Sequence, residues 1–148
     1  MINEATLPMH PALNVSGRLL FTSLFFISGI THFTDVPYYV SLMPAPFPYP
    51  VFWIFLSGGV ELAGAAMILF NWHPRLGGWL IIAFLLPVTV VVHGYEMMNA
   101  TSEVIRQLQQ AHFLKGFALT GAALLISQLG VSSSNLSLAP ADPDTLGT

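Results

Sequence analysis

The chain has no cysteine. That absence removes disulfides, thiolate metal sites, cysteine nucleophiles and CxxC redox chemistry together. Charge is almost as scarce. Seven acids and four bases make 7% of 148 residues, where a water-soluble domain carries roughly a quarter. So few charges cannot cover a water-facing surface. With 54% hydrophobic residues and a mean hydropathy of +0.70, the sequence implies lipid as solvent. The bases are scattered, so no basic patch exists to track phosphates, which argues against nucleic acid as a partner. Lysine and arginine are missing from residues 1–17, and no small-residue cleavage site follows the apolar run 19–30. The N-terminus does not read as a cleaved signal, and the first hydrophobic segment is expected to stay in the mature protein.

Long apolar runs take the place of charge. A spanning helix needs about 20 mostly apolar residues, and residues 14–33, 51–70, 76–98 and 111–129 supply them. The expected fold is all-α: an integral membrane bundle of four transmembrane helices over residues 14–130. An N-terminal segment, 1–13, precedes it, and a Ser-, Pro- and Asp-rich tail, 131–148, is expected to be disordered. Asn14 or Ser16 can cap the first helix, and Pro50 suits the first turn of the second. Ser102 and Glu103 open a polar lead-in that can run straight into the fourth. Pro87, inside the third, frees a carbonyl near Ala83 and is expected to kink the helix. Residues 34–50 are too rich in proline and aromatics to float in water. They are expected to cap one end of the bundle as an interfacial or re-entrant segment. Glycines at 58, 59, 64, 77, 78, 116 and 121 read as packing positions between helices.

Four spans put both termini on one side, with Arg18 and Arg75; Arg106 and Lys115 fall on the other. The positive-inside rule gives a tie, and cytoplasmic termini are the working expectation.

Ionisable groups inside a span are costly and default to a functional-site hypothesis. Glu61 lies about ten residues into the second span, near mid-membrane at about 1.5 Å per residue. His32 closes the first span, His93 and Tyr95 come late in the third, and His112 and Lys115 open the fourth. Glu61, His32, His93 and Lys115 are thereby expected to converge in one half of the bundle under the Pro-rich segment. Glu61, Lys115 and His93 are the candidates for chemistry. His32, Tyr95, Phe47 and Met43 are the candidates for holding a ligand, with Phe33 as a further wall. Each has a plainer alternative. Glu61 can simply pair with Lys115 or Arg18 to fix packing, the histidines can serve as ordinary hydrogen-bonding groups, and Lys115 can snorkel to the headgroups. Arg18 reads as a structural anchor. Two lone histidines are a weak signal for haem, and the spacings of metal sites are absent, so no metal is expected.

Three segments, in order, resemble the DoxX family. The run from Gly17-Arg18-Leu19-Leu20 to Ser28-Gly29-Ile30-Thr31-His32-Phe33 is similar to that family's first helix. Ser57-Gly58-Gly59-Val60-Glu61-Leu62-Ala63-Gly64 is similar to its "GxxE-x-x-G" second-helix segment. His112-Phe113-Leu114-Lys115-Gly116-Phe117-Ala118-Leu119 is similar to its "FxKNxAL" fourth-helix segment, with Gly116 where members often carry Asn. The resemblance implies a four-helix protein of the bacterial plasma membrane, in a family named for quinone-coupled oxidation of reduced sulfur compounds. The related thiol oxidoreductases use cysteine pairs, which this chain lacks. The resulting expectation is a subunit of a quinone-linked or other redox-associated membrane system. Its partners would be the lipid bilayer, other membrane subunits and a quinone, and it could oligomerise. An accessory anchor subunit, or a small transporter coupled through Glu61, are the alternatives.

Overall fold

A computed structural model of the chain describes residues 10–128. The expectation for the tail 131–148, most of the segment 1–13 and the final residue of the fourth span lie outside them. Among the described residues every regular element is helical. Three helices open on a proline, α1 (Pro11–Thr34), α3 (Pro50–Leu69) and α4 (Pro74–Pro87). The missing N–H of proline costs nothing there, and its fixed φ already suits the helix. Asn14 and Ser16 thus lie inside α1, not at its cap; Pro11 starts the helix a turn earlier than an Asn or Ser cap would.

Between α1 and α3 the segment at 34–50 folds back as a short helix, α2 (Val36–Ser41), followed by an irregular stretch. After α3 the chain reverses over residues 70–73, with Asn71 and His73 at positive φ. At the residue after Pro87, helix α4 passes into a π-helical stretch, Val88–Gly94, and then into α5 (Tyr95–Asn99). The expected disturbance at Pro87 thus takes the form of a widened helix that continues to Asn99. Helix α6 (Glu103–Gln128) runs unbroken through the polar lead-in. Ser102 caps it, its Oγ accepting from the N–H of Ile105 at 3.2 Å.

α1 packs on α3, α3 on α4, and α4 with its π continuation on α6. No Cα of α1 comes within 8 Å of one in α6, so a seam runs between them. The buried core is a thin apolar column of Phe25, Ala65, Ile68, Ile81, Ile82, Phe84, Leu85 and Ala123. Close approach of α3 to α4 depends on Gly64 and Gly77. A Cβ at Gly77 would sit 2.8 Å from the Gly64 carbonyl oxygen, so a side chain there would force the helices apart. Gly59 and Gly121 do not share this role: a Cβ on either meets nothing within 4 Å.

The outside is as apolar as the inside. Leu13, Leu20, Ile27, Phe52 and Leu125 are all more than half exposed. An apolar surface of this extent has lipid as its natural neighbour. Among the described residues three helical stretches are long and apolar enough to cross a membrane: Pro11–Thr34, Pro50–Leu69 and Pro74–Asn99. α6 is not among them, where four spans were expected. Glu103, Arg106 and Lys115, with three glutamines, fill its first half and leave only a short apolar run.

Candidate functional site

At the end of the bundle covered by α2, side chains from α1, α3, the π stretch and α6 enclose a cavity of about 270 Å³. Helical spacing selects the lining. Ser28 and His32 are four apart on α1; Ile54, Ser57 and Glu61 follow at three and four on α3; His112, Lys115, Gly116 and Leu119 do so on α6. Thr89 and His93 come from the π stretch, and Tyr39, Leu42 and Met43 close the top.

Glu61 is 1% exposed. Its carboxyl lies 3.3 Å from the Ser28 hydroxyl, which donates to it, and 3.5 Å from His32 Nδ1. His32 Nδ1 is also 2.9 Å from the Ser28 carbonyl oxygen. A carbonyl only accepts, so Nδ1 carries the hydrogen and Nε2 of the neutral ring keeps its lone pair. The His32 ring is stacked on Tyr39 at 3.9 Å and meets Phe84 edge-on at 5.8 Å. The Tyr39 hydroxyl is fixed in turn against Thr31 Oγ1 at 2.7 Å. One close packing contact holds this group together: a Cβ at Gly58 would fall 2.7 Å from His32 Cβ.

Across the cavity a second set of groups is held the same way. His93 Nδ1 donates to Gln109 Oε1 at 2.9 Å, and its ring stacks on His112 at 5.1 Å. Lys115 Nζ donates to His112 Nδ1 at 3.2 Å. His112 is therefore an acceptor at Nδ1, the opposite tautomer to His32 and His93. Gly116 backs onto the π stretch so closely that a Cβ there would collide with the Thr89 hydroxyl and methyl. A larger residue at 116, such as the Asn of the family pattern, has no room at this separation.

Glu61, His32, His93, Lys115 and Met43 therefore line one cavity. Tyr95, on α5, does not, and Phe33 stacks on Phe55 at 5.4 Å on the outer surface. Phe47 lines a neighbouring apolar cavity. The expected pairing of Glu61 with Lys115 or Arg18 is corrected. Ser28 and His32 neighbour the carboxyl, and Lys115 turns to His112 instead. Arg18 cannot reach, since residues 18 and 28 are roughly 15 Å apart along α1 at 1.5 Å per residue. It lines a separate cavity with Asn14 and Asn71 at the other end. Ser28, Tyr39, Thr89 and Gln109 were not singled out from the sequence. Ser28 carried a usable signal, sitting one turn before His32; the other three meet the site only through tertiary packing.

The sequence profile of the DoxX family matches residues 13–94 of the chain. This chain belongs to the DoxX family. Comparison with curated proteins and with solved structures gave no match. The DoxX match takes in Ser28, His32, Glu61, Thr89 and His93 and ends at the close of the π stretch. The α6 wall of the cavity, with His112 and Lys115, and the Gln109 that holds His93 lie beyond the matched residues. Membership and the three apolar helices together make this a multi-pass membrane protein of DoxX type.

Proposed function

We propose that this DoxX protein is a subunit of a redox-associated membrane system and holds a small, flat, two-oxygen ring, of quinone type, in the cavity around Glu61. We further take α6 as a fourth span, making a four-helix bundle in a bacterial plasma membrane. The observation that carries the reading is one cavity lined by a buried carboxyl, three imidazoles and an amine. Among the described residues few other polar groups are buried at all. Ligand sites have mostly apolar walls with a few convergent polar groups, and about 270 Å³ suits a ring more than a large substrate. Tyr39 and His32 offer a flat aromatic wall to stack on.

A quinone, when bound, would supply the electron chemistry, exchanging electrons with a partner protein. The chain's own groups do the rest. With these tautomers His112 Nε2–H donates to a ring oxygen, and the free Nε2 of His32 and of His93 accepts from the ring hydroxyls of the reduced form. Glu61, through His32 and Ser28, takes up or delivers a proton at the ring, and Lys115 with His112 offsets negative charge on the facing side. Glu61, Lys115 and His93 are thus the residues proposed for chemistry, and His32 and Met43 for holding the ring.

The test is binding of a tailless benzoquinone to the full chain in mild detergent, repeated with Glu61→Gln and Lys115→Met. Binding that weakens about tenfold or more in folded variants supports the reading. Binding that is absent, or equal in all three proteins, returns the accessory-subunit reading. That alternative draws on the exposed apolar face and on Gly59 and Gly121, which face open space.

A further inference from the structure

The polar cavity has an apolar neighbour. A second space of about 300 Å³ lies in the groove between α3 and the α4–π junction, under the stretch that carries Pro44 and Phe47. Apart from Ser57, it is lined by apolar residues only. Its outer wall is made of side chains on the exposed apolar surface: Trp53, Leu56 and Val91 are each more than two-fifths exposed. The two cavities share Met43, Ser57, Phe84, Val88 and Val92 as a common partition.

The π stretch forms much of that partition. Thr89 and His93 line the polar side only, Val91 lines the apolar side only, and Val88 and Val92 line both. π-helical segments within α-helices frequently occur at functional sites. Here the segment begins at the residue after Pro87 and gives one helix a polar face to one cavity and an apolar face to the other. Met43, a flexible side chain that re-packs at little cost, stands in the partition where the covering segment meets it.

We infer that the ligand of this site is a lipid-soluble quinone with a hydrocarbon tail: the ring occupies the Glu61 cavity, and the first part of the tail lies in the apolar groove between α3 and the π stretch, which is also its way in from the bilayer. This rests on the ring-binding reading above. A tail in that groove replaces lipid contacts with fixed apolar walls. A ring without a tail has no use for the groove.

The experiment compares a tailless dimethoxy-methyl-benzoquinone with the same ring bearing two isoprene units, using the full chain in nanodiscs. Three proteins are measured: wild type, Ala83→Phe and Val91→Trp, the latter two filling the groove from its lipid side. The expected result is tailed binding roughly tenfold tighter than tailless in wild type. In both variants the tailed ring should fall to the tailless value, with tailless affinity unchanged. If the tailless ring binds and the groove-filling variants leave the tail's advantage intact, the tail inference is overturned while ring binding stands. No tailless binding to wild type removes the ring-binding reading, and this inference with it.

Discussion

Glu61 has its hydrogen-bond donor on α1, in Ser28, with His32 Nδ1 beside it at 3.5 Å. A buried polar group is tolerated when it is bonded, and every buried side-chain nitrogen and oxygen among the described residues has a partner. At this scale the sequence was legible where polarity was scarce. A glutamate inside an apolar helix has to face the interior, and it does. It was not legible where partners had to be chosen. Formal charge pointed to Lys115 or Arg18, whereas the fold supplies a hydroxyl and an imidazole one turn apart on the helix next door. Gly116 is a second residue whose meaning waited for the fold. As a sequence feature it was a departure from a family pattern; in the structure it is the contact that lets α6 lie against Thr89. Gly116→Ala is expected to lower stability by about 1–3 kcal/mol, through overpacking. Thr89→Ala in the same chain should return part of that loss. Thermal unfolding midpoints of the single and double variants in one detergent check both statements.

Among the elements, the apolar runs announced α1, α3 and the α4–π–α5 rod well, because about 20 apolar residues have few other uses. Their ends were read less well. Proline at the first helical position set three starts, a stronger local signal than the Asn or Ser nearby. The π stretch was beyond sequence reading. Pro87 marks a disturbance, but it does not say that the chain widens into a π stretch, one that then packs on α6. The N-terminal turn of α6 carries a pH-sensitive device of its own. Hydrogen bonds from Arg106 and then Gln107 hold the exposed Glu103 carboxyl below the usual carboxylate range. A carboxylate at a helix N-terminus is also favoured by the dipole. Because the folded-state value is lowered, the contribution is present above the unfolded value and is lost as pH falls through the folded one. Helical chemical shifts at residues 103–107 should therefore be stronger in wild type than in Glu103→Gln at neutral pH. The two should converge in acid, once the pH has fallen below the lowered folded-state value. A difference that persists in acid would assign the effect to something other than the carboxylate.

For the whole molecule, four apolar runs of the sequence implied a four-span bundle, yet among the described residues only three stretches satisfy length and apolarity outright. The reason is the polar first half of α6, in which His112 and Lys115 line the cavity and Gln109 holds the His93 that also lines it. The absence of cysteine makes the topology directly measurable, since each introduced thiol is the only one. With α6 crossing, cysteines at His10, Asn71 and Asp142 should be labelled from one side of the membrane and cysteines at Tyr38 and Ser102 from the other. A label at Asp142 on the side of Ser102 would leave three spans and an interfacial α6.

The reading of the molecule as a holder of a lipid-soluble ring is best met by photolabelling. The wild-type chain in nanodiscs is exposed to an azido-benzoquinone, irradiated, digested and mapped by mass spectrometry. Labels should fall on the segment around Ser28 and His32, on Tyr39 to Met43, and on the π stretch, and excess unlabelled quinone should compete them away. Labels scattered over lipid-facing residues such as Leu20, Ile27 and Leu125, unaffected by competitor, would contradict a quinone site around Glu61.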